Sequence, residues 1–347
     1  MKILYGIQGT GNGHISKAET IYPLLKKYGQ VDVLVSAKNY SLRPSFPIKF
    51  HKTGISFVTK NGKIDLWQSL LCLRLYTFLK DIFTLPFFKY DLIISDFEPI
   101  TAWGAKLNKL KSIQISHQAS FYSEFTPRPI RKDIFAEFII KYFSPTTTYI
   151  GLHFKSYSAN ISEPIIKKKL YEITVTEQSH ITVYLPYLNN DILLSFFLSF
   201  TYYDFHVFAP QVKSEYRKGN VVFKPVSNEG FVGSLASCYG VVCNAGFETP
   251  SEALFLGKRL LVIPLANQYE QYCNVKALKL LGIMSINSLN QYTKHTFFNW
   301  LNSKPIKMAF NCTIEQLIYS KISNLFEKEI FDIDYKKTLS PLSERVE

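Results

Sequence analysis

Cysteine, methionine and tryptophan are scarce in this chain of 347 residues, at 5, 3 and 3 copies. The cysteines are odd in number and lack paired spacing, so they give no disulfide framework and read as reduced thiols of a cytosolic protein. Cys238 and Cys243 lie near each other, but no second Cys or His pair completes a zinc site, and both read as core residues. Long apolar runs are also missing. The longest uncharged apolar stretch, ILLSFFLSFTYY at 192–203, is too short to span a bilayer. The opening MKILYGIQG is strand-like and lacks the pattern of a secretory leader. Acidic residues are outnumbered, 27 against 40 basic ones, for a formal charge of +13. That excess calls for a polyanionic partner: a nucleotide-bearing substrate, an anionic membrane surface or nucleic acid. Zinc-finger, RNP and basic-zipper patterns are absent, so no nucleic-acid partner is expected.

What is present is ample material for interiors: 47% hydrophobic and 19% charged residues, in a chain longer than one core usually serves. The aromatic share of 15% has two open readings, a membrane-facing surface or the codon usage of an A+T-rich genome. Short apolar runs alternate with amphipathic segments in both halves. KILYGIQ, VDVLVS, YDLIISD and KSIQIS read as strands of the first half; HITVYLP, DFHVFA, NVVFKPV, YGVVCNA and RLLVIPL read as strands of the second. This alternation predicts an α/β fold of two doubly wound Rossmann-like domains with parallel sheets. The expected division is a first domain at 1–155, a connection at 156–178, a second domain at 179–328 and a polar tail at 329–347. Ligands of such folds bind at the C-terminal edges of the sheets, which here face a shared cleft.

GIQGTGNGHISKAE follows the first strand. Gly9, Gly11 and Gly13 permit close backbone approach to a ligand, and the helix start behind Gly11, Asn12 and Gly13 favours negative charge. A dinucleotide fingerprint needs a third glycine where His14 stands, and a P-loop needs a Gly-Lys-Ser/Thr ending; both are absent. His14, at the loop–helix junction, has the chemistry to take a proton from an acceptor hydroxyl. The alternative is a helix-start histidine bonding to backbone. Two further strand ends, IISDFEP and IQISHQAS, bring Asp96 and His117 towards the same edge. Asp96 either orients His14 or caps the helix that starts near Pro99.

In NAGFETPSEAL, Gly246 ends a buried strand and Glu248 or Thr249 is the expected cap of a helix whose first amides can receive phosphate. Glu252, near the first turn, suits the two hydroxyls of a ribose. IPLANQYEQYCN repeats the device one strand later with Gln268, Glu270 and Gln271, suited to sugar hydroxyls. Singly each is a capping or surface residue; together they describe a polar cleft edge.

Gly246, TPSEAL at 249–254, LGKRLLVIP and NQYEQYCNVKAL, with GTGNGH near the start, resemble the GT-B glycosyltransferases of the MurG-type, family 28 group. The resemblance implies a glycosyltransferase moving a hexose or N-acetylhexosamine from a UDP-linked or similar nucleotide sugar to a lipid-linked or cell-surface glycan acceptor. It implies no metal or cofactor, since helix N-termini serve the diphosphate. Glu252 would grip the ribose; Phe247, Glu248 and Thr249 would surround the diphosphate or the base-side loop; Glu270 and Gln271 would meet the hexose; and His14 or Asp96 would be the base. The chain departs from the pattern at Glu270, where Gln is common, and at Lys258-Arg259. It also departs at YLPYLNN, which lacks the diphosphate-binding glycines and leaves compensation to other backbone or to Lys224. Asp332-Ile333-Asp334 lies in the tail and reads as a chance match to a metal motif. Segment 65–90, rich in Leu, Phe and Tyr with interspersed Arg and Lys, is either an interfacial helix resting on anionic lipid or a helix buried all round. The expected location is cytoplasmic, at the inner face of the cell membrane if that segment binds lipid. Two other activities use this fold: a nucleotide-sugar 2-epimerase, and a catalytically silent nucleotide-sugar-binding protein.

Overall fold

The computed structural model describes residues 1–9, 12–36, 44–55, 58–60, 63–65 and 75–326. Its first half holds strands β1 (Lys2–Gln8), β2 (Gln30–Ser36), β3 (Phe50–Lys52), a hairpin of β4 (Val58–Lys60) and β5 (Lys63–Asp65), then β6 (Leu92–Asp96), β7 (Lys111–Ser116), β8 (Thr148–Leu152) and β9 (Ile161–Ser162). The hairpin apart, these form one sheet in the order β3-β2-β1-β6-β7-β8-β9, with parallel pairing throughout. Helices α1 (Asn12–Lys26), α2 (Leu75–Thr84), α3 (Pro99–Leu107) and α4 (Ile134–Tyr142) belong to this half.

The short helix α5 (Lys168–Glu172) precedes the second half. There β10 (His180–Tyr184), β11 (Asp204–Phe208), β12 (Tyr216–Lys218), β13 (Val221–Lys224), β14 (Gly240–Asn244), β15 (Arg259–Ile263) and β16 (Met284–Ser285) form a second sheet. Its order is β12-β13-β11-β10-β14-β15-β16, parallel save for β12 against β13. Helices α6 (Asn190–Phe197), α7 (Asn228–Ser237), α8 (Glu248–Phe255), α9 (Tyr269–Leu280) and α10 (Lys294–Leu301) accompany it, and α11 (Ile314–Phe326) follows. The chain is therefore α/β, with two Rossmann-like domains.

Central strands lie buried on both faces, which is why they read as continuous apolar runs; six of the seven residues of β1 are buried. In each sheet the strand order reverses beside the first strand. β1 lies between β2 and β6, and β10 lies between β11 and β14. These reversals open crevices at the strand C-termini, and the loops after β1, β6, β10 and β14 line them.

The expected connection at 156–178 is partly structured: β9 completes the first sheet and α5 carries a helical turn. Helix α11 packs on the first domain, burying Ile314, Ile318 and Ile322 at helical spacing. That burial contributes about 1.5–3 kcal/mol per side chain. Lys27 pairs with Glu315 at 2.6 Å, and Thr313 N donates to Ser162 Oγ at 3.0 Å. The polar tail and its Asp332-Ile333-Asp334 lie outside the described residues.

Cys238 and Cys243 are buried in the core, as expected. Lys258 and Arg259 are structural too. The Lys258 ammonium donates to the carbonyls of Thr176 and Cys238, and Arg259 Nε donates to Ser303 O at 2.9 Å. Among the described residues no helix is long and apolar enough to cross a membrane.

Candidate active site

β1 ends at Gln8 and α1 starts at Asn12. Gly11 lies outside the described residues, and Asn12 is described only as the first residue of the helix. Gly13 abuts the second domain, where a Cβ added to it would come 3.2 Å from Glu248 Cγ. His14 and Lys17 follow one helical turn apart and so share a face of α1.

Asp96, the last residue of β6, is fully buried, and its Oδ1 serves both of them. His14 Nδ1 lies 2.9 Å away and Lys17 Nζ 2.7 Å away. Burial by itself would raise the Asp96 carboxyl, yet the Lys17 ammonium and His14 hold it below the usual carboxylate range. An ionised acceptor at Nδ1 makes that nitrogen the proton carrier and leaves Nε2 as the basic one. Of the two roles open for Asp96, the structure gives it this one. The helix cap is Glu98, whose carboxylate accepts from Ile100 N at 2.9 Å and Thr101 N at 2.7 Å.

In the second domain the expected cap is corrected. Helix α8 starts at Glu248 itself, its N-cap is Phe247, and no side chain caps it. Neither Glu248 nor Thr249 is spent on capping, so the first-turn amides stay open to an anion in the adjoining cleft. Gly246 and Thr249 line that cleft. Burial pushes the Glu248 carboxyl up to about 7, against the lowering effect of Lys17. Glu252 is buried and faces Lys167, with Nζ 2.8 Å from Oε1.

Around α9 the expected residues diverge. Glu270 lines the cleft and accepts from Gln118 Nε2 at 3.0 Å. Gln271 lines it too, but its Oε1 is taken by Leu265 N at 2.8 Å, so only its amide nitrogen is available to a ligand. Gln268 does not line the cleft. It is the N-cap residue of α9, with no side-chain cap bond. His117 touches the cleft as a joint between the domains. Its Nδ1 donates to Leu152 O at 2.7 Å, its Nε2 lies 2.8 Å from Asn274 Oδ1, and its ring stacks on Phe247 at 4.3 Å. Burial lowers its pKa, and both ring nitrogens lie within hydrogen-bond distance of protein oxygens.

These parts enclose a cavity of about 310 Å³ at the two crevices. Sequence reading missed several of its walls. Lys17 and Lys167 bring cations to it, Tyr184 comes from the end of β10, Pro186 and Tyr187 from the loop after it, and Ser227, Asn228 and Phe231 from the start of α7. The rule that places ligands at strand ends marks YLPY and VSNEGF; no local motif marks the lysines. Lys224 does not take part, for it pairs with Glu215 at 2.8 Å outside the cavity. Ser16 Oγ, Gln118 Oε1 and Asn244 Oδ1 are buried at this wall without a partner among the described residues. Buried polar atoms are almost always satisfied, so these three suit a polar ligand.

Comparison with known proteins agrees with this fold. Among solved structures the chain resembles Arabidopsis thaliana UGT89C1 complexed with UDP, at 15% identity over 97% of both chains and a TM-score of 0.55. It resembles the Streptomyces sp. SF2575 glycosyltransferase SsfS6, complexed with thymidine diphosphate, at 12% identity over 92% of this chain and 99% of that one, with a TM-score of 0.54. Acinetobacter baumannii MurG aligns at 14% identity over 92% of both chains, with a TM-score of 0.51. These likenesses establish the GT-B architecture. Among curated proteins none matches by sequence. The family description "Glycosyl transferase family 1" fits residues 1–303, so the chain belongs to glycosyl transferase family 1 and is a glycosyltransferase of GT-B fold.

Proposed function

We propose that this glycosyltransferase moves a hexose or N-acetylhexosamine from a nucleoside diphosphate sugar, UDP-linked in the first instance, to a lipid-linked or surface-glycan acceptor. The observation that carries the donor side is the open N-terminus of α8, flanked by Glu252 and by Lys17 and Lys167. Amides at a helix start bind phosphate, and two ammonium groups in the same cavity offset diphosphate charge. Glu252 accepts from the ribose hydroxyls once Lys167 shares or yields it. Tyr184, Tyr187 and Phe231 flank the base, Thr249 and Glu248 the diphosphate, and Glu270 and Gln271 the hexose.

On the acceptor side, His14 Nε2 removes the proton of the attacking hydroxyl while Asp96 stabilises the imidazolium that forms. The hydroxyl oxygen bonds to the anomeric carbon as its bond to the diphosphate breaks. The leaving diphosphate is held by the α8 amides and by Lys167.

The lipid acceptor rests on two exposed apolar faces of the first domain. In α2, Leu75, Tyr76, Leu79 and Phe83 are exposed on one side while Ile82 is buried, which removes the all-round-buried alternative for the described part of 65–90; residues 66–74 lie outside it. In and before α4, Ile130, Ile134, Phe135 and Phe138 are exposed with Arg131, Lys132 and Lys141 among them, the arrangement of a surface that settles on anionic lipid. The MurG-type relationship and a place at the inner membrane face belong to this proposal. The test is transfer itself. UDP-hexoses and UDP-N-acetylhexosamines, incubated with the protein and vesicles carrying a polyprenyl-phosphate-linked sugar in EDTA, release UDP and lengthen the glycan. UDP release from no donor sets the reading aside.

A further inference from the structure

Lys17 takes no part in the transfer scheme beyond its charge, yet it is one of the most enclosed lysines in the molecule, with a side chain 3% exposed. Its Nζ does not go to the free oxygen of Asp96. It meets the same Oδ1 that His14 uses, while Oδ2 is buried without a partner among the described residues. A cation and an imidazole therefore compete for a single carboxylate oxygen.

We infer that Lys17 is a positioning residue that keeps Asp96 ionised while moderating its pull on His14, so that the imidazole returns to its basic form after each proton transfer. The inference rests on reading His14 as the base. A carboxylate as deeply buried as Asp96 is costly to ionise unless a cation partners it, and removing one member of such a pair leaves an uncompensated charge. With Lys17 in place the pair is neutral overall, and Asp96 orients the ring without trapping a proton on it. Without Lys17, His14 becomes the sole counter-charge of Asp96 and holds its proton to higher pH. The other ionisable groups facing this cluster are Tyr5 from β1, Glu248 from α8, and His117 from the turn after β7. Tyr5 is fully buried and stays protonated, and its hydroxyl has no partner among the described residues.

The experiment follows the imidazole nitrogens of ¹⁵N-labelled full-length protein by NMR across pH 5 to 9, with the His14 signal identified by its loss in His14→Asn. No substrate is needed. In Lys17→Met the His14 midpoint rises by about one to three pH units, the range a neighbouring charge commands. Lys17→Arg keeps the parent midpoint, and Lys17→Met/Asp96→Asn returns it to about 6.5, the unperturbed histidine value. An unchanged or lowered midpoint in folded Lys17→Met overturns the inference. Should Lys17→Met not fold, Asp96→Asn is compared with the double variant. The lysine left beside His14 in the single variant depresses its midpoint relative to the double, and equal midpoints overturn the inference. Activity separates the two layers. Transfer that survives in His14→Asn removes the base reading, whereas a His14-dependent enzyme whose imidazole ignores Lys17 removes only the role of Lys17.

Discussion

His14 Nδ1 and Asp96 Oδ1 lie 2.9 Å apart, joining the start of α1 to the end of β6 across 82 positions of sequence. On the proposed reading the pair orients a base whose second nitrogen has no partner among the described residues and is left to the acceptor. We expect His14→Asn to lower kcat by about 10²- to 10⁴-fold, the usual worth of a general base, while nucleotide affinity stays near that of the parent. Steady-state kinetics with a nucleotide titration alongside would separate the two.

On the proposed reading Glu248 links protonation to donor binding. Burial pushes its carboxyl up to about 7, and a diphosphate beside it would favour the protonated form further. Nucleotide binding therefore takes up a proton and weakens as pH rises through 7, by up to roughly tenfold per unit. In stability the sign is the same: a folded pKa above the unfolded value gives a contribution present at low pH and lost as pH climbs from the unfolded carboxyl range through about 7. Glu248→Gln removes both slopes. Calorimetry at pH 6 and pH 8, with thermal unfolding at the same two values, reads them.

Gly246 tests the cleft without testing the fold. A Cβ there meets nothing within 4 Å among the described residues, so Gly246→Ala unfolds at the parent temperature. On the proposed reading the same methyl stands in the diphosphate's approach, and affinity falls by about tenfold or more, a loss of about 1.4 kcal/mol. Gly13→Ala behaves differently. Its methyl comes 3.2 Å from Glu248 Cγ, so the Glu248 side chain has to give by a few tenths of an ångström, which thermal unfolding of this variant beside Gly246→Ala reads.

The strands at the centres of both sheets were legible because burial on both faces writes itself as an unbroken apolar run: KILYGIQ and KSIQIS match β1 and β7 residue for residue. β8 was not, because TYIGL is short and follows a run of threonines, even though the crossover helix α4 stands just before it. His14 and Asp96 were readable from their places at strand ends. Their partnership was one of two options, and which carboxylate caps α3 was settled only by geometry, Glu98 lying two residues nearer the helix. Lys17 and Lys167 were invisible as site residues, since each earns its place by a pairing with a carboxylate 79 or more positions away. Gln268 shows the opposite limit. Its loop is correctly placed at a strand end, but which residues of a loop turn inward depends on backbone direction that composition does not encode.

The apolar faces of α2 and α4 give a partition experiment. Phe135→Ser/Phe138→Ser replaces two rings that are 59% and 58% exposed, so folding stability stays nearly unchanged. Sedimentation with vesicles containing anionic lipid falls several-fold, and transfer to a water-soluble acceptor is untouched. Equal sedimentation of the parent and the variant would remove α4 from the lipid-binding surface.

The most direct test of the account is thermal unfolding of the parent chain and Glu252→Ala with UDP, GDP, dTDP, the matching sugar nucleotides and NAD. At one hundred times its Kd a ligand adds about 2.7 kcal/mol. We expect one nucleoside diphosphate and its sugars to stabilise the parent and to lose that effect in Glu252→Ala. Stabilisation by NAD alone, or by no nucleotide, would contradict the donor site described for α8.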